Sequence, residues 1–104
     1  MKYDNILLSA DGDISVWQVP KEVADNLEKY CLEYLNWIDE SDNPKAKRIR
    51  SGQAYFPDKV FIEYLEECIV SNCKCIYVET IDNEAWYDED VMPDKYRKCS
   101  RFNF

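Results

Sequence analysis

Hydrophobic positions along this chain first alternate, then step by threes and fours, then alternate again. Residues 6–10 and 13–18 are extended, apolar-rich stretches flanking Asp11-Gly12. That dipeptide suits a two-residue type I′ loop, because both central residues need positive φ. A β-hairpin is predicted, with Leu7 opposite Val16 and Ile6 opposite Trp17. Both faces of this hairpin carry apolar side chains. One therefore covers the core, and the other packs on something else or stays exposed.

Val19-Pro20 ends the second strand and predicts a helix starting at Pro20, since proline is pre-organised for a first helical position. Val23, Leu27, Tyr30, Cys31, Tyr34, Leu35 and Ile38 then trace one stripe of a 3.6-residue helix running to about residue 39. Glu22 and Asp25 fall in its expected first turn, where carboxylates complement the helix dipole. Trp37 lies off the stripe, as a second contact surface or a partly exposed residue. Glu40-Ser41-Asp42-Asn43-Pro44 breaks the pattern.

A basic run follows, Lys45-Ala46-Lys47-Arg48-Ile49-Arg50, and then a short extended stretch over residues 53–56. Pro57-Asp58 opens another helix, with Asp58 as its expected N-cap. Its expected buried side is Phe61, Ile62, Leu65, Cys68 and Ile69, and its wet side Glu63, Glu66 and Glu67, with Ser71-Asn72 as the stop. Residues 74–80 alternate as a strand, and Met92-Pro93-Asp94 begins a short helical turn before Arg101-Phe102-Asn103-Phe104. The order implies one α+β domain over residues 1–104: a small, mainly antiparallel sheet (the hairpin plus later short strands) packed with two main helices.

Composition changes this picture mainly by exclusion. The 104 residues carry 13 Lys and Arg against 21 Asp and Glu, for a formal net charge of −8. Without histidine, Ser–His–Asp triads, Cys–His dyads and His-containing metal sites are ruled out. Two glycines cannot build a Walker A or dinucleotide loop. Asp11-Gly12-Asp13 lacks the further oxygen ligands of an EF-hand, because Ser15 is followed by Val16 and Trp17. Carboxylate pairs such as Asp88/Asp90 and Glu66/Glu67 come with no sign of a cleft and no nucleophile–base pair, so no enzyme and no cofactor is expected. Ile6-Leu7-Leu8 is too short for a signal-peptide core, and no stretch approaches the roughly 20 apolar residues of a membrane span. A cytoplasmic protein with reduced thiols and no membrane partner is expected.

The chain has five cysteines, a residue type that can ligate a metal. Cys68, Cys73, Cys75 and Cys99 would supply four thiolates, but they lack the paired C-x2-C hooks of a zinc site. Cys73-x-Cys75 fits one face of a strand instead, and Cys31 and Cys68 fit apolar faces of helices. No metal site is expected.

Charge is the one pattern that points towards a function. Residues 45–50 carry +4 and residues 95–104 another +4, within an otherwise strongly acidic chain. Lys45, Lys47, Arg48 and Arg50 could contact phosphate, which makes a nucleic-acid or regulatory binder the runner-up reading, but the surrounding acidic field opposes a polyanion, so direct nucleic-acid binding is not expected. Residues 79–94 hold seven acids and no base, with Trp86 and Tyr87 in their midst. Glu79, Asp82, Glu84, Trp86, Tyr87, Asp88, Glu89 and Asp90 form the candidate protein-binding surface: aromatic anchors ringed by carboxylates that attract a basic protein. The plain alternative is a solubilising loop whose aromatics close over the core.

Val19-Pro20-Lys21-Glu22-Val23-Ala24-Asp25-Asn26-Leu27-Glu28-Lys29-Tyr30-Cys31, Phe61-Ile62-Glu63-Tyr64-Leu65 and the ending over residues 93–104 resemble small uncharacterised proteins of Gram-positive bacteria and their phages and mobile elements. The likeness spans most of the chain and brings no activity. It implies the company of short acidic inhibitors: anti-CRISPR and other anti-defence proteins, or immunity proteins that neutralise a toxin nuclease. These are similar to this chain in size and charge only. The expected partner is a basic protein, such as a nucleic-acid-binding protein or nuclease, met by carboxylates that mimic a phosphate backbone.

Overall fold

A computed structural model describes residues 2–10, 12–53, 56–70 and 73–104. Strands β1 (Tyr3–Ser9) and β2 (Ile14–Pro20) form the antiparallel hairpin, with Leu7 paired to Val16 and Ile6 to Trp17 as the sequence predicts. Asp11, and with it the expected type I′ turn, lies outside the described residues. Strand β3 (Ile76–Ile81) pairs antiparallel with β2, and β4 (Ser100–Asn103) pairs parallel with β1. The sheet order is β3-β2-β1-β4, an α+β arrangement whose sheet is mostly antiparallel. The chain's last residues, read from sequence only as a tail, thus supply an edge strand.

The predicted helix over 20–39 is two helices, α1 (Lys21–Asp25) and α2 (Leu27–Glu40). Asn26 separates them, because its side-chain amide donates to the Glu22 carbonyl (2.9 Å) and competes with the helical ladder. Pro20 remains extended at the end of β2 (ψ 140°) rather than starting the helix. Asp25 closes α1 and pairs with Lys21 instead of opening a long helix. Of the predicted stripe, Val23, Leu27, Tyr30, Cys31, Tyr34 and Ile38 are buried, whereas Leu35 is exposed. Trp37 is the second contact surface, its ring 5.3 Å from that of Tyr64.

Helix α3 (Pro44–Arg50) carries the basic run, and Asn43 caps it by accepting from the Lys45 amide (2.9 Å). The extended stretch expected at 53–56 falls largely on residues 54 and 55, outside the described residues. Helix α4 (Pro57–Tyr64) starts with Pro57 at its first turn and Phe56 as cap residue. Asp58 therefore lies inside the helix rather than capping it, and its carboxylate accepts from the Ser15 hydroxyl (2.8 Å). The chain then widens into a π-turn (Leu65–Ile69), closed by the Val70 amide donating to the Leu65 carbonyl (2.7 Å). A π-turn advances less per residue than an α-helix, so Cys68 lags out of the stripe and is exposed, against expectation. The expected stop at Ser71-Asn72 lies outside the described residues.

Strand β3 starts two residues later than predicted. The Cys75 amide donates to the Glu66 carboxylate (2.8 Å) and the Cys73 amide to the Val70 carbonyl (2.8 Å), so neither joins the ladder. Cys73 and Cys75 consequently precede the strand instead of sharing one of its faces.

Apolar clusters pack on both sides of the hairpin. On one side Ile6, Leu8 and Val19 meet α1, α2 and α4 through Val23, Leu27, Tyr34 and Phe61. Phe104 completes this side, 5.6 Å from Tyr34 and 5.5 Å from Phe61, with its amide donating to the Ser9 carbonyl (2.8 Å). On the other side Leu7, Ile14 and Val16 are covered by Ala85, Met92 and Tyr96. The second apolar face left open by the hairpin pattern is thus sealed by the segment after β3.

Candidate functional site

The acidic segment is held down by its own short polar turns. Asp82 is extended, and its carboxylate accepts from the Glu84 amide (2.8 Å), which starts a 3-10 turn over Asn83–Trp86. That turn buries Ala85. Asp88 accepts from the Asp90 amide (3.0 Å), and Pro93 leads into a second 3-10 turn, Asp94–Tyr96, as the sequence predicts. With Ala85, Met92 and Tyr96 facing the sheet, the intervening carboxylates face outward.

The basic tail braces this segment from behind. Arg97 donates through Nη2 to the Glu89 carbonyl (3.0 Å) and pairs through Nη1 with Asp94 (3.0 Å). Arg101 donates to the Arg97 carbonyl (2.9 Å). Together with Trp86, Tyr87, Glu89 and Met92, these arginines line a pocket of about 290 Å³. Arg97 thus anchors the loop through the Glu89 carbonyl eight residues back, and Arg101 ties β4 to Arg97 itself, four residues back.

The eight predicted surface residues divide into two groups. Glu79 is taken internally: it accepts from the Tyr96 hydroxyl and pairs with Lys95 (3.3 Å). Those two bonds hold its carboxyl below the usual range, while burial and Glu79 push the Tyr96 hydroxyl up. Trp86 is half-buried against the second cluster. The remaining six, Asp82, Glu84, Tyr87, Asp88, Glu89 and Asp90, are exposed. Tyr87 is 81% exposed. Among the described residues, none of these five carboxylates is in an ion pair.

The basic run is divided as well. Lys45 bridges Glu63 and Glu67 at 2.9 Å each, and these partners raise its pKa. Arg50 donates to the Ile38 carbonyl (2.7 Å), tying α3 to the end of α2. Lys47 and Arg48 remain exposed and, among the described residues, outside any ion pair. Asn43-Pro44 signals a helix start, but nothing local announces that Lys45 reaches Glu63 and Glu67.

The thiols are dispersed. Cys31 is buried on α2 and Cys75 is partly buried, and desolvation pushes both up to about 12. Cys99 and, to a degree, even the surface-exposed Cys68 are also raised, chiefly by partial desolvation from the protein around them. Among the described residues no group of three or more Cys, Asp or Glu is placed to hold a metal ion. No described helix is long and apolar enough to cross a membrane.

No family model, curated protein or solved structure matches this chain. What the loop can do follows from its own chemistry: exposed negative charge around one exposed aromatic ring, on a backbone fixed at both ends.

Proposed function

We propose that this chain is a non-enzymatic protein-binding domain, an inhibitor that docks its acidic aromatic loop on a basic partner. The observation that carries this reading is Tyr87, 81% exposed amid Asp82, Glu84, Asp88, Glu89 and Asp90, five carboxylates outside any described ion pair. A tyrosine ring offers a large contact at low entropic cost, and the carboxylates raise the encounter rate with a positively charged surface. The loop's anchors at Ala85, Met92 and Tyr96 support the reading further, because a fixed loop incurs little ordering cost on docking. A nucleic-acid-binding protein or nuclease is the partner class whose phosphate channel such a row of carboxylates would occupy. An anti-defence protein or a toxin-immunity protein would each use the surface in this way.

The test is capture from a nuclease-treated extract with wild-type protein, a Tyr87→Ala variant and an Asp88→Asn/Glu89→Lys/Asp90→Lys variant. Asp88→Asn keeps the side-chain acceptor for the Asp90 amide while removing the charge. The expected result is a basic protein held by wild type, about thirtyfold weaker with Tyr87→Ala and lost with the charge variant. Nucleic acid as the sole partner, or a protein partner indifferent to both variants, overturns the proposal.

A further inference from the structure

The pocket between the acidic loop and β4 holds two opposite charges that do not meet each other. Glu89 on the loop and Arg101 on β4 both line this space of about 290 Å³, whose apolar wall includes Trp86, Tyr87 and Met92. Among the described residues, the Glu89 carboxylate has no hydrogen-bond or ion-pair partner. Arg101 commits Nη2 to the Arg97 carbonyl (2.9 Å), with the Tyr96 carbonyl at 3.5 Å, and its Nη1 and Nε have no described partner. Arg97 is satisfied, because Asp94 pairs with its Nη1 and the Glu89 carbonyl accepts from its Nη2. It acts as a brace, holding the Glu89 backbone on one side and the Arg101 guanidinium on the other.

The geometry points to a binding site for a free α-amino acid with an apolar side chain, taken as its zwitterion. Charge selects this class. A net anion is repelled by Asp82, Glu84, Asp88 and Asp90 on the same loop, and a net cation meets Arg101. A zwitterion satisfies both walls: its carboxylate accepts from the open Arg101 donors, and its ammonium donates to Glu89. Its side chain then lies against Trp86 and Met92. Size agrees, since the pocket stands at the small end of the roughly 300–1,000 Å³ that ligand sites span. A peptide fits poorly, because its length separates the two terminal charges. Binding here needs no partner protein, so its outcome is independent of the docking reading.

Amide and indole NMR spectra of isotope-labelled protein, titrated with L-phenylalanine, test the site. The Trp86 indole and Arg101 amide signals are expected to shift saturably, with a Kd of about 0.1–1 mM. N-acetyl-L-phenylalanine lacks the ammonium and L-phenylalanine amide lacks the carboxylate, and each is expected to bind about tenfold more weakly or worse. Glu89→Gln should weaken L-phenylalanine about tenfold without weakening the N-acetyl compound, and Arg101→Gln should do so without weakening the amide. Should Arg101→Gln fail to fold, wild type with the three compounds and Glu89→Gln decide. The proposal is overturned by the absence of a saturable shift up to about 20 mM, by a blocked compound binding wild type as well as L-phenylalanine, or by a folded variant that weakens all three compounds equally.

Discussion

Removing one methionine separates a structural cover from a solvated acidic loop. Met92 is almost fully buried among Leu7, Ile14, Val16, Ala85 and Tyr96, on the sheet face away from the helices. Met→Ala in a core costs about 2–5 kcal/mol, from lost transfer energy plus the cavity left behind. This cluster is small and is closed by a loop that can settle into the gap, which favours the lower end, about 2–3 kcal/mol. In a domain of this size that corresponds to a fall in Tm on the order of 10–20 °C. Urea unfolding followed by far-ultraviolet circular dichroism measures the loss. Tryptophan fluorescence in the same experiment includes Trp86 at the margin of the cluster. Tyr87→Ala in the same loop is the control, expected within about 0.5 kcal/mol of wild type because that ring is exposed. A Met92→Ala loss below about 0.5 kcal/mol would refute the idea that residues 82–96 seal the second face.

Three further outcomes follow from the polar contacts and the thiols. Ser15 donates to Asp58 (2.8 Å) and accepts from Trp17 Nε1 (3.0 Å), so Ser15→Ala should cost about 1–2 kcal/mol in urea unfolding, and a neutral result would remove this link between β2 and α4. The Tyr96 and Lys95 contacts hold the Glu79 carboxyl below its ordinary value of 4.5, so the native state binds fewer protons there than the unfolded chain. Its contribution is present above that ordinary value and lost as pH falls through the lowered one. Urea midpoints should therefore fall less steeply in acid for Glu79→Gln than for wild type; parallel curves would contradict this. Timed alkylation read by mass spectrometry should label Cys68 first and the buried Cys31, pushed up to about 12, only as the chain unfolds. Early labelling of Cys31 would show α2 opening locally.

What could be read from sequence tracks how local the deciding interaction is. The hairpin register follows from alternation, and α2 from a stripe whose members lie within one or two turns of each other. Asn26 interrupts that stripe through a bond four residues back, which residue type alone suggests only weakly. The exposure of Cys68 depends on a π-turn, and the late start of β3 on a Glu66 carboxylate nine residues upstream. The parallel placement of β4 joins the two ends of the chain, so no window of sequence contains it. For the candidate site, the acidic run and Tyr87 were visible as composition. The internal use of Glu79, Lys45 and Arg50 was not, because each partner lies 12 to 22 residues away.

Those long-range contacts change what the charge pattern means. As a linear string, residues 79–94 read as solvating acid and residues 45–50 and 95–104 as two basic islands. In the fold, Lys45, Lys95 and Arg97 meet carboxylates, while Arg50 and Arg101 bond backbone carbonyls. Five of the eight cations in these islands are thus engaged within the molecule, and the acids from Asp82 to Asp90 are left without a described counter-charge. A disordered acidic tail would have the same composition, but would incur an ordering cost of about 1–2 kcal/mol per residue fixed on docking. Here that cost is met during folding, through Ala85, Met92 and Tyr96 on the hairpin's second face. The same burial that stabilises the sheet therefore also shapes the exposed surface, so loosening the cover should weaken docking even though no carboxylate is changed.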